Sequence, residues 1–197
     1  MEAQQHGQPI RRVKTSPSMR PYLQLGGLLL VALAAFLVTW FLIRGGNHHS
    51  KVALPAVGKP AIVSETQLHA LAKQTELPIY WAGPKSGAAY ELTRARDGRV
   101  WVRYLRSSSQ LGTPAAKYLT VGTYPGAHAF RAIRRAAQRP GGLSLKIDNG
   151  GLLVFNTGVP TSVYFGYPKA SYQVEVFDPS PQQARTLVVG GRVTPIR

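Results

Sequence analysis

Two carboxylates, Glu91 and Glu175, are the side chains of this sequence most open to a catalytic interpretation. Hydrolysis of a glycosidic bond needs two carboxyl groups, one as general acid and one as base or nucleophile. Of the other acidic residues, Glu65 suits the first turn of a helix, whereas Asp97 and Asp148 suit tight turns. Residue alternation also allows Glu91 and Glu175 to lie on the solvent face of a strand, so a purely structural role stays open.

Other kinds of reactive site have little support. The chain has no Cys, which excludes a thiolate nucleophile, a thiolate zinc site and an iron–sulfur cluster. His69 and His128 could serve a Ser–His–acid site, but no Gly-x-Ser-x-Gly elbow accompanies them. The adjacent His48 and His49 lack the ligand spacing of a metal site, and no phosphate-binding glycine loop occurs. We therefore predict no catalytic residue, no cofactor and no metal.

A strongly basic composition is the most substantial signal in the sequence. Of 197 residues, 24 are Lys or Arg and eight are Asp or Glu, which gives a net charge of +16. The arginines form one group on a predicted hairpin and a second along a predicted helix: Arg94, Arg96, Arg99, Arg103 and Arg106, then Arg131, Arg134, Arg135 and Arg139. Such groups favour an anionic partner, and outside a cell the anions are lipid headgroups, wall polymers or acidic proteins. A solvated basic face without a specific ligand is the alternative.

Two aromatic segments offer a further candidate surface. Residues 79–85 read IYWAGPK and residues 163–169 read VYFGYPK, so each places two aromatic side chains before a Pro-Lys turn. The four aromatic residues are Tyr80, Trp81, Tyr164 and Phe165. They could form the rim of a sugar or peptide site, or they could point into the core, as strand aromatics commonly do. The likeness of the two segments could reflect an internal duplication or chance.

Residues 22–43 predict a transmembrane helix. They form a run of 22 residues without a charge, which spans about 33 Å as a helix and matches the hydrocarbon core of a bilayer. A cleaved signal peptide is the competing interpretation, because Ala32-Leu33-Ala34 resembles a cleavage site. The apolar run continues for nine residues beyond Ala34, however, so an uncleaved signal anchor is favoured.

The flanking charges predict the orientation of this helix. Four basic residues precede it (Arg11, Arg12, Lys14 and Arg20), and two follow it closely (Arg44 and Lys51). The side with more positive charge stays in the cytoplasm, so residues 1–21 are predicted as a disordered cytoplasmic tail. Residues 44–59 read as a linker, and residues 60–197 as a folded domain outside the plasma membrane.

The folded part predicts an α+β domain with a mainly antiparallel sheet. Asp97-Gly98 and Asn149-Gly150 are typical of tight hairpin turns. Ser64 and Gln67 form a capping-box pattern at the start of the first helix. We predict three helices, over residues 64–77, 127–138 and 181–189. We predict eight strands, over residues 79–81, 88–94, 99–105, 117–123, 143–148, 152–156, 161–167 and 172–178.

Three stretches carry a resemblance to a known group of proteins. They are LPIYWAGP at residues 77–84, YLTVGTYP at residues 118–125 and EVFDPSP at residues 175–181. With the single N-terminal anchor, they resemble a group of actinobacterial single-pass membrane proteins of uncharacterised function. The resemblance implies one anchor and a small extracytoplasmic domain, and it implies no activity or site residue.

These features together predict a non-enzymatic binding or scaffolding module at the cell envelope. Its partners would be the bilayer, through residues 22–43, and an anionic lipid, wall polymer or acidic protein. An envelope hydrolase acting on polysaccharide or peptide is the first alternative, with Glu91 and Glu175 as its candidate carboxylates. Binding of extracellular nucleic acid is the second, and it is disfavoured by a location outside the cell.

Overall fold

The computed structural model describes residues 53, 55–76, 78–114 and 116–196. The predicted tail of residues 1–21 and the predicted membrane helix of residues 22–43 lie outside this part of the chain, as does most of the linker of residues 44–59. The described residues belong to one compact unit, Lys51–Arg197. Within them, no helix combines the length and the apolar composition that crossing a bilayer requires.

Eight strands form a single sheet in which all neighbouring strands are antiparallel. Its strands are β1 Ala61–Val63, β3 Ala89–Arg94, β4 Val100–Leu105, β5 Thr120–Pro125, β6 Gly142–Ile147, β7 Gly151–Asn156, β8 Val159–Gly166 and β9 Tyr172–Phe177. The order across the sheet is β1-β3-β4-β5-β9-β8-β7-β6. Two meanders, β3–β5 and β6–β9, meet where β5 pairs with β9. With three helices the fold is α+β, as predicted.

Both predicted turn dipeptides connect the strands assigned to them. Gly98 has a φ of +82° between β3 and β4, and the Asn149-Gly150 pair has φ values of 57° and 70° between β6 and β7. Asn and Gly adopt this left-handed conformation more easily than other residues, which is why the sequence marks these turns clearly. The turns fix the register that places each strand residue on one face or the other.

The three helices are α1 Glu65–Ala72, α2 Ala129–Ala137 and α3 Pro181–Val189. The Ser64 side chain accepts a hydrogen bond from the Gln67 backbone, and the Gln67 side chain accepts one from the Ser64 backbone, which confirms the capping box. Helix α3 begins with Pro181 and ends before Gly191, whose φ is +64°. Helices α1 and α2 are shorter than predicted, and α3 has its predicted bounds.

A second, two-stranded sheet was not predicted. It pairs β2 (Tyr80–Trp81) with β10 (Thr194–Pro195), near the chain's C-terminal end. The predicted strand at residues 79–81 therefore exists but lies outside the main sheet. Its place as the eighth strand is taken by β1, which pairs with β3 and is too short to show residue alternation. The predicted strand at residues 117–123 also begins later, at Thr120.

The main sheet has two chemically different faces. One face packs on α1, α3 and the small sheet to form the hydrophobic core, which includes Leu92, Val102, Val121, Val163, Phe165 and Val174. The opposite face packs on α2, whose Ile133 is buried, and α2 contacts β6, β7, β8 and β9. We call it the second face. It carries the polar side chains of β3, β4, β5 and β9, so it is where the candidate residues meet.

Candidate functional site

Helix α2 presents four arginines to solvent. Ala129 and Ile133 face the sheet and are buried, whereas the exposed cations of the helix and its C-terminal end are Arg131, Arg134, Arg135 and Arg139. Residues three or four apart lie on one side of a helix, so the four guanidinium groups share the side that points away from the sheet. We call them the α2 arginines.

None of the α2 arginines forms an ion pair with a described carboxylate. No Asp or Glu occurs between residues 98 and 147. In the described part of the chain, ion pairs occur only at His69–Glu65, Arg99–Asp97 and Arg103–Glu91. The positive charge of the α2 arginines is therefore uncompensated within the described structure, and it is available to an outside anion.

The arginines of the β3–β4 hairpin are engaged differently. Arg99 Nε lies 2.7 Å from the Asp97 carboxylate, and its guanidinium stacks over the Trp101 ring at 5.2 Å. The side chain and the backbone N–H of Arg99 both donate to Asp97, and these hydrogen bonds lower the pKa of Asp97 below its ordinary value of 3.8. Arg99 is thus exposed but largely compensated.

Arg103 is held inside the structure rather than offered to a ligand. Its guanidinium donates to Glu91 at 2.7 Å and to the Thr113 carbonyl at 2.8 Å, and it stacks over Tyr118. The Glu91 side chain is 2% exposed and also accepts a hydrogen bond from the Gly112 backbone. This pair ties the β4–β5 loop to the second face. The structure thus places Arg103, which the sequence offered as an anion-binding residue, in an ion pair within the fold.

Two of the remaining hairpin arginines lie at its turn. Arg94 is half-buried, and its carbonyl accepts a hydrogen bond from the Gly58 backbone, while Arg96 is exposed. Arg106, which follows β4 at the other end of the hairpin, is exposed as well. Neither Arg96 nor Arg106 forms an ion pair in the part of the chain that the structure describes.

The two candidate catalytic carboxylates share the second face but are far apart. Glu91 aligns with Arg103, Thr120 and Phe177 across β3, β4, β5 and β9, two residues from Glu175 on β9. Three strand spacings of about 4.8 Å separate them, or about 14 Å before the offset along the strand is added. Glycosidase carboxyl groups lie about 5–9.5 Å apart, so these two do not form such a pair.

Glu175 is the centre of a hydroxyl network instead. Its carboxylate accepts hydrogen bonds from Tyr124, from Ser162 at 2.8 Å and from Tyr164 at 2.9 Å. Burial and then the Glu175 charge raise the pKa of Tyr164 to about 12, and the same causes raise the pKa of Tyr124. Both phenols therefore stay protonated as donors, which suits a structural network better than proton transfer at neutral pH.

The structure does not bring the four aromatic residues of the predicted rim together on one surface. Phe165 and Trp81 are buried in the core, and Tyr80 packs edge-on against Phe165 at 5.7 Å. Tyr164 points to the second face, where it bonds to Glu175. In β8, adjacent residues point to opposite faces, so Phe165 enters the core and Tyr164 does not. Tyr80 and Trp81, in contrast, are both buried at the small sheet. The alternative in which these aromatics point into the core therefore fits three of the four. The two like segments also occupy different sheets, which is not what a structural duplication would give.

An open cleft of about 920 Å³ lies beside the small sheet. Its lining includes His69, Tyr80, Trp81, Asp148, Asn149 and Tyr167. These residues come from distant parts of the chain, so no local sequence motif predicts the cleft. Tyr80 and Trp81 are each 5% exposed and packed against other rings, so neither offers a free face on which a sugar could stack.

The comparisons with known proteins found no relative. No protein-family model matches the chain, and neither a curated protein nor a solved structure matches it. Among the residues described here, no three His, Asp or Glu side chains come together in a way that could hold a metal ion. The function must therefore be argued from the surface chemistry, in which the α2 arginines are the leading feature.

Proposed function

We propose that this protein is a membrane-anchored, non-enzymatic module that binds a phosphate-bearing anionic surface of the cell envelope through the α2 arginines. The observation that carries the proposal is that these four neighbouring cations are all exposed and that none of them forms an ion pair with a described carboxylate. The arginine-rich hairpin has this property only in part, because Asp97 and Glu91 compensate Arg99 and Arg103 and Arg94 is half-buried.

The chemistry of arginine suits such a surface. A guanidinium presents several donors in a planar fork that matches phosphate oxygens, and it stays charged at every physiological pH. Each basic side chain near an anionic membrane surface contributes about 1 kcal/mol, so the four would contribute about 4 kcal/mol together. Lipid headgroups and phosphate-bearing wall polymers share this chemistry.

The membrane anchor in this proposal is residues 22–43. It is supported by 22 consecutive uncharged residues and by the excess of basic residues on the N-terminal side. The N-terminal tail of residues 1–21 would then be cytoplasmic, and the domain of residues 60–197 would lie outside the plasma membrane. The layout implied by the resemblance to actinobacterial single-pass proteins is the same.

The hydrolase alternative is weakened by the geometry of its own candidates. Glu91 and Glu175 are too far apart for a glycosidase pair, and both carboxylates are already occupied by hydrogen bonds within the fold. The nucleic-acid alternative uses the same arginines and the same phosphate chemistry. It is the direct competitor in the experiment below.

The test is co-sedimentation of a fragment of residues 51–197 with vesicles of phosphatidylglycerol and phosphatidylcholine. Neutral phosphatidylcholine vesicles, isolated wall fragments and a short DNA duplex are run in parallel over a salt series. We expect binding to the anionic vesicles that weakens as salt rises, and no binding to neutral ones. Tighter binding to wall fragments would identify the wall polymer as the source of the phosphates.

A pair of charge reversals controls this experiment. Arg135→Glu changes an α2 arginine, and Lys85→Glu makes the same change at an exposed site away from α2. We expect the first variant to lose most of its vesicle binding and the second to lose little. Equal binding to neutral vesicles, or a preference for DNA at physiological salt, would contradict the proposal.

A further inference from the structure

Strand β6 is an unpaired edge of the main sheet. It pairs with β7 on one side, and no described strand pairs with its other side. It is six residues long and contains no Pro, whereas the opposite edge strand β1 has three residues and follows Pro60. A long edge without Pro leaves backbone donors and acceptors free for another strand.

One face of β6 is apolar and exposed. Leu143 and Leu145 are 49% and 48% exposed, and both point to the core side of the sheet, opposite Phe155 and Leu153 of β7. Leu153 is buried in the core while its neighbours on β6 face water. The apolar face of the sheet therefore continues from the buried strand β7 onto β6, where it is exposed to solvent.

The other face of β6 is basic. Lys146 lies on the second face, opposite Leu152, and α2 contacts β6 on that face. The α2 arginines add positive charge on the outer side of the helix that covers this face, and the nearest acid along the chain is Asp148, in the turn after β6. A strand added to β6 would thus meet leucines on one side and Lys146 on the other, within the positive field of the α2 arginines.

We propose that β6 receives an extended segment of a partner protein in which apolar and acidic residues alternate. Main-chain hydrogen bonds along the free edge would give affinity, and the alternation would match each face of the segment to its neighbour on β6. This edge goes beyond the anionic-surface function proposed above: the α2 arginines contribute positive charge to both, but addition of a strand to β6 does not require binding to a membrane or wall.

The charge of the domain argues against a second copy as the occupant. Residues 55–197 hold 18 basic and seven acidic residues, a net charge of +11. Pairing of two β6 strands would bring two such domains together with their α2 arginines close to the joint. Repulsion of that kind opposes self-association, whereas an acidic segment is attracted.

The test uses the full chain in an uncharged detergent and three end-blocked ten-residue peptides. The first alternates Val and Glu, the second alternates Val and Lys, and the third is the Val–Glu peptide with every amide N-methylated. Fluorescence anisotropy gives the Kd, and hydrogen exchange reports the amides of residues 142–147. We expect the Val–Glu peptide to bind at least tenfold more tightly than the other two and to slow exchange in β6.

Leu145→Ser removes one of the two exposed leucines, and Leu111→Ser is its control on an exposed loop residue of similar exposure. We expect at least tenfold weaker peptide binding for the first variant and less than a twofold change for the second. Equal binding of the N-methylated peptide, unchanged exchange in β6, or a peptide-free dimer protected at β6 would overturn the proposal. A failure of vesicle binding would leave these readouts unchanged, so the two proposals fail separately.

Discussion

The β3–β4 hairpin and helix α2 are both rich in arginine, but they differ in how many of their arginines are paired with a carboxylate. On the hairpin, Arg99 and Arg103 each meet a carboxylate at 2.7 Å. On α2, four arginines stand exposed in a stretch of fifty residues, 98–147, that contains no acid. The positions of the few acidic residues thus decide which arginines form ion pairs within the fold and which do not.

Among single substitutions, the largest effect should come from removing the carboxylate that pairs with Arg103. Glu91→Gln keeps the shape of the side chain but leaves the Arg103 guanidinium, 17% exposed, without its counter-charge. Breaking a buried ion pair from one side costs about 3 kcal/mol of the free energy of unfolding. Urea denaturation followed by circular dichroism measures this loss. The matched control, Glu76→Gln at an exposed position, should change stability by less than about 0.5 kcal/mol.

A smaller effect is expected when α2 is made to resemble the hairpin. Gln138→Glu places a carboxylate one turn after Arg134, where it can pair with that arginine. If one of the four charges is compensated, the affinity for anionic vesicles should fall about fivefold, which corresponds to about 1 kcal/mol. Gln182→Glu on α3 is the control and should leave the affinity almost unchanged. An equal fall for both variants would show that net charge alone matters.

On the second face, the carboxylate of Glu175 is hydrogen-bonded by hydroxyl groups rather than paired with an arginine. The pKa of Tyr164 is raised to about 12 by burial and then by the Glu175 charge. In Glu175→Gln the charge is gone, so this pKa should fall toward the ordinary value of 10 while burial keeps it above that value. Titration of the phenol absorbance near 295 nm measures the change. A pKa that stays near 12 would mean that burial alone is responsible.

The smallest effect concerns the exposed pair at the hairpin turn. Arg99 lowers the pKa of Asp97, so the stabilisation from this pair is present above pH 3.8 and is lost as the pH falls through the lowered pKa of the folded state. In Arg99→Gln the Asp97 carboxyl should titrate closer to 3.8, with almost no change in stability at pH 7. NMR titration of the side-chain carboxyl carbon measures both forms. An unchanged pKa would show that Arg99 does not hold the carboxylate in solution.

Much of the fold could be predicted because its signals are local. The Asp97-Gly98 and Asn149-Gly150 turns, the Ser64–Gln67 cap and the Pro181 start each act within a few residues. The sequence does not predict the short strands β1 and β10, because each forms only by pairing with a strand elsewhere in the chain. Strand β1 pairs with β3, and β10 pairs with β2. A two- or three-residue strand leaves no periodic pattern.

The candidate site could be predicted only in part, for the same reason. The α2 arginines follow from helical spacing, and the structure places all four on the surface. The burial of Arg103 could not be predicted, because it depends on the β3–β4 register opposite Glu91 and on the return of the loop at Gly112 and Thr113. Those contacts form only when the whole sheet has folded, and no local sequence motif predicts them.

The most direct test of the central claim compares two variants of equal charge in the same vesicle assay. One replaces Arg131, Arg134, Arg135 and Arg139 with Gln, and the other replaces Arg94, Arg96, Arg99 and Arg106 with Gln. If the uncompensated α2 arginines form the binding surface, the first variant should bind anionic vesicles about a thousandfold more weakly, from four contributions of about 1 kcal/mol, and the second less than tenfold more weakly. Equal losses in the two variants would contradict the claim.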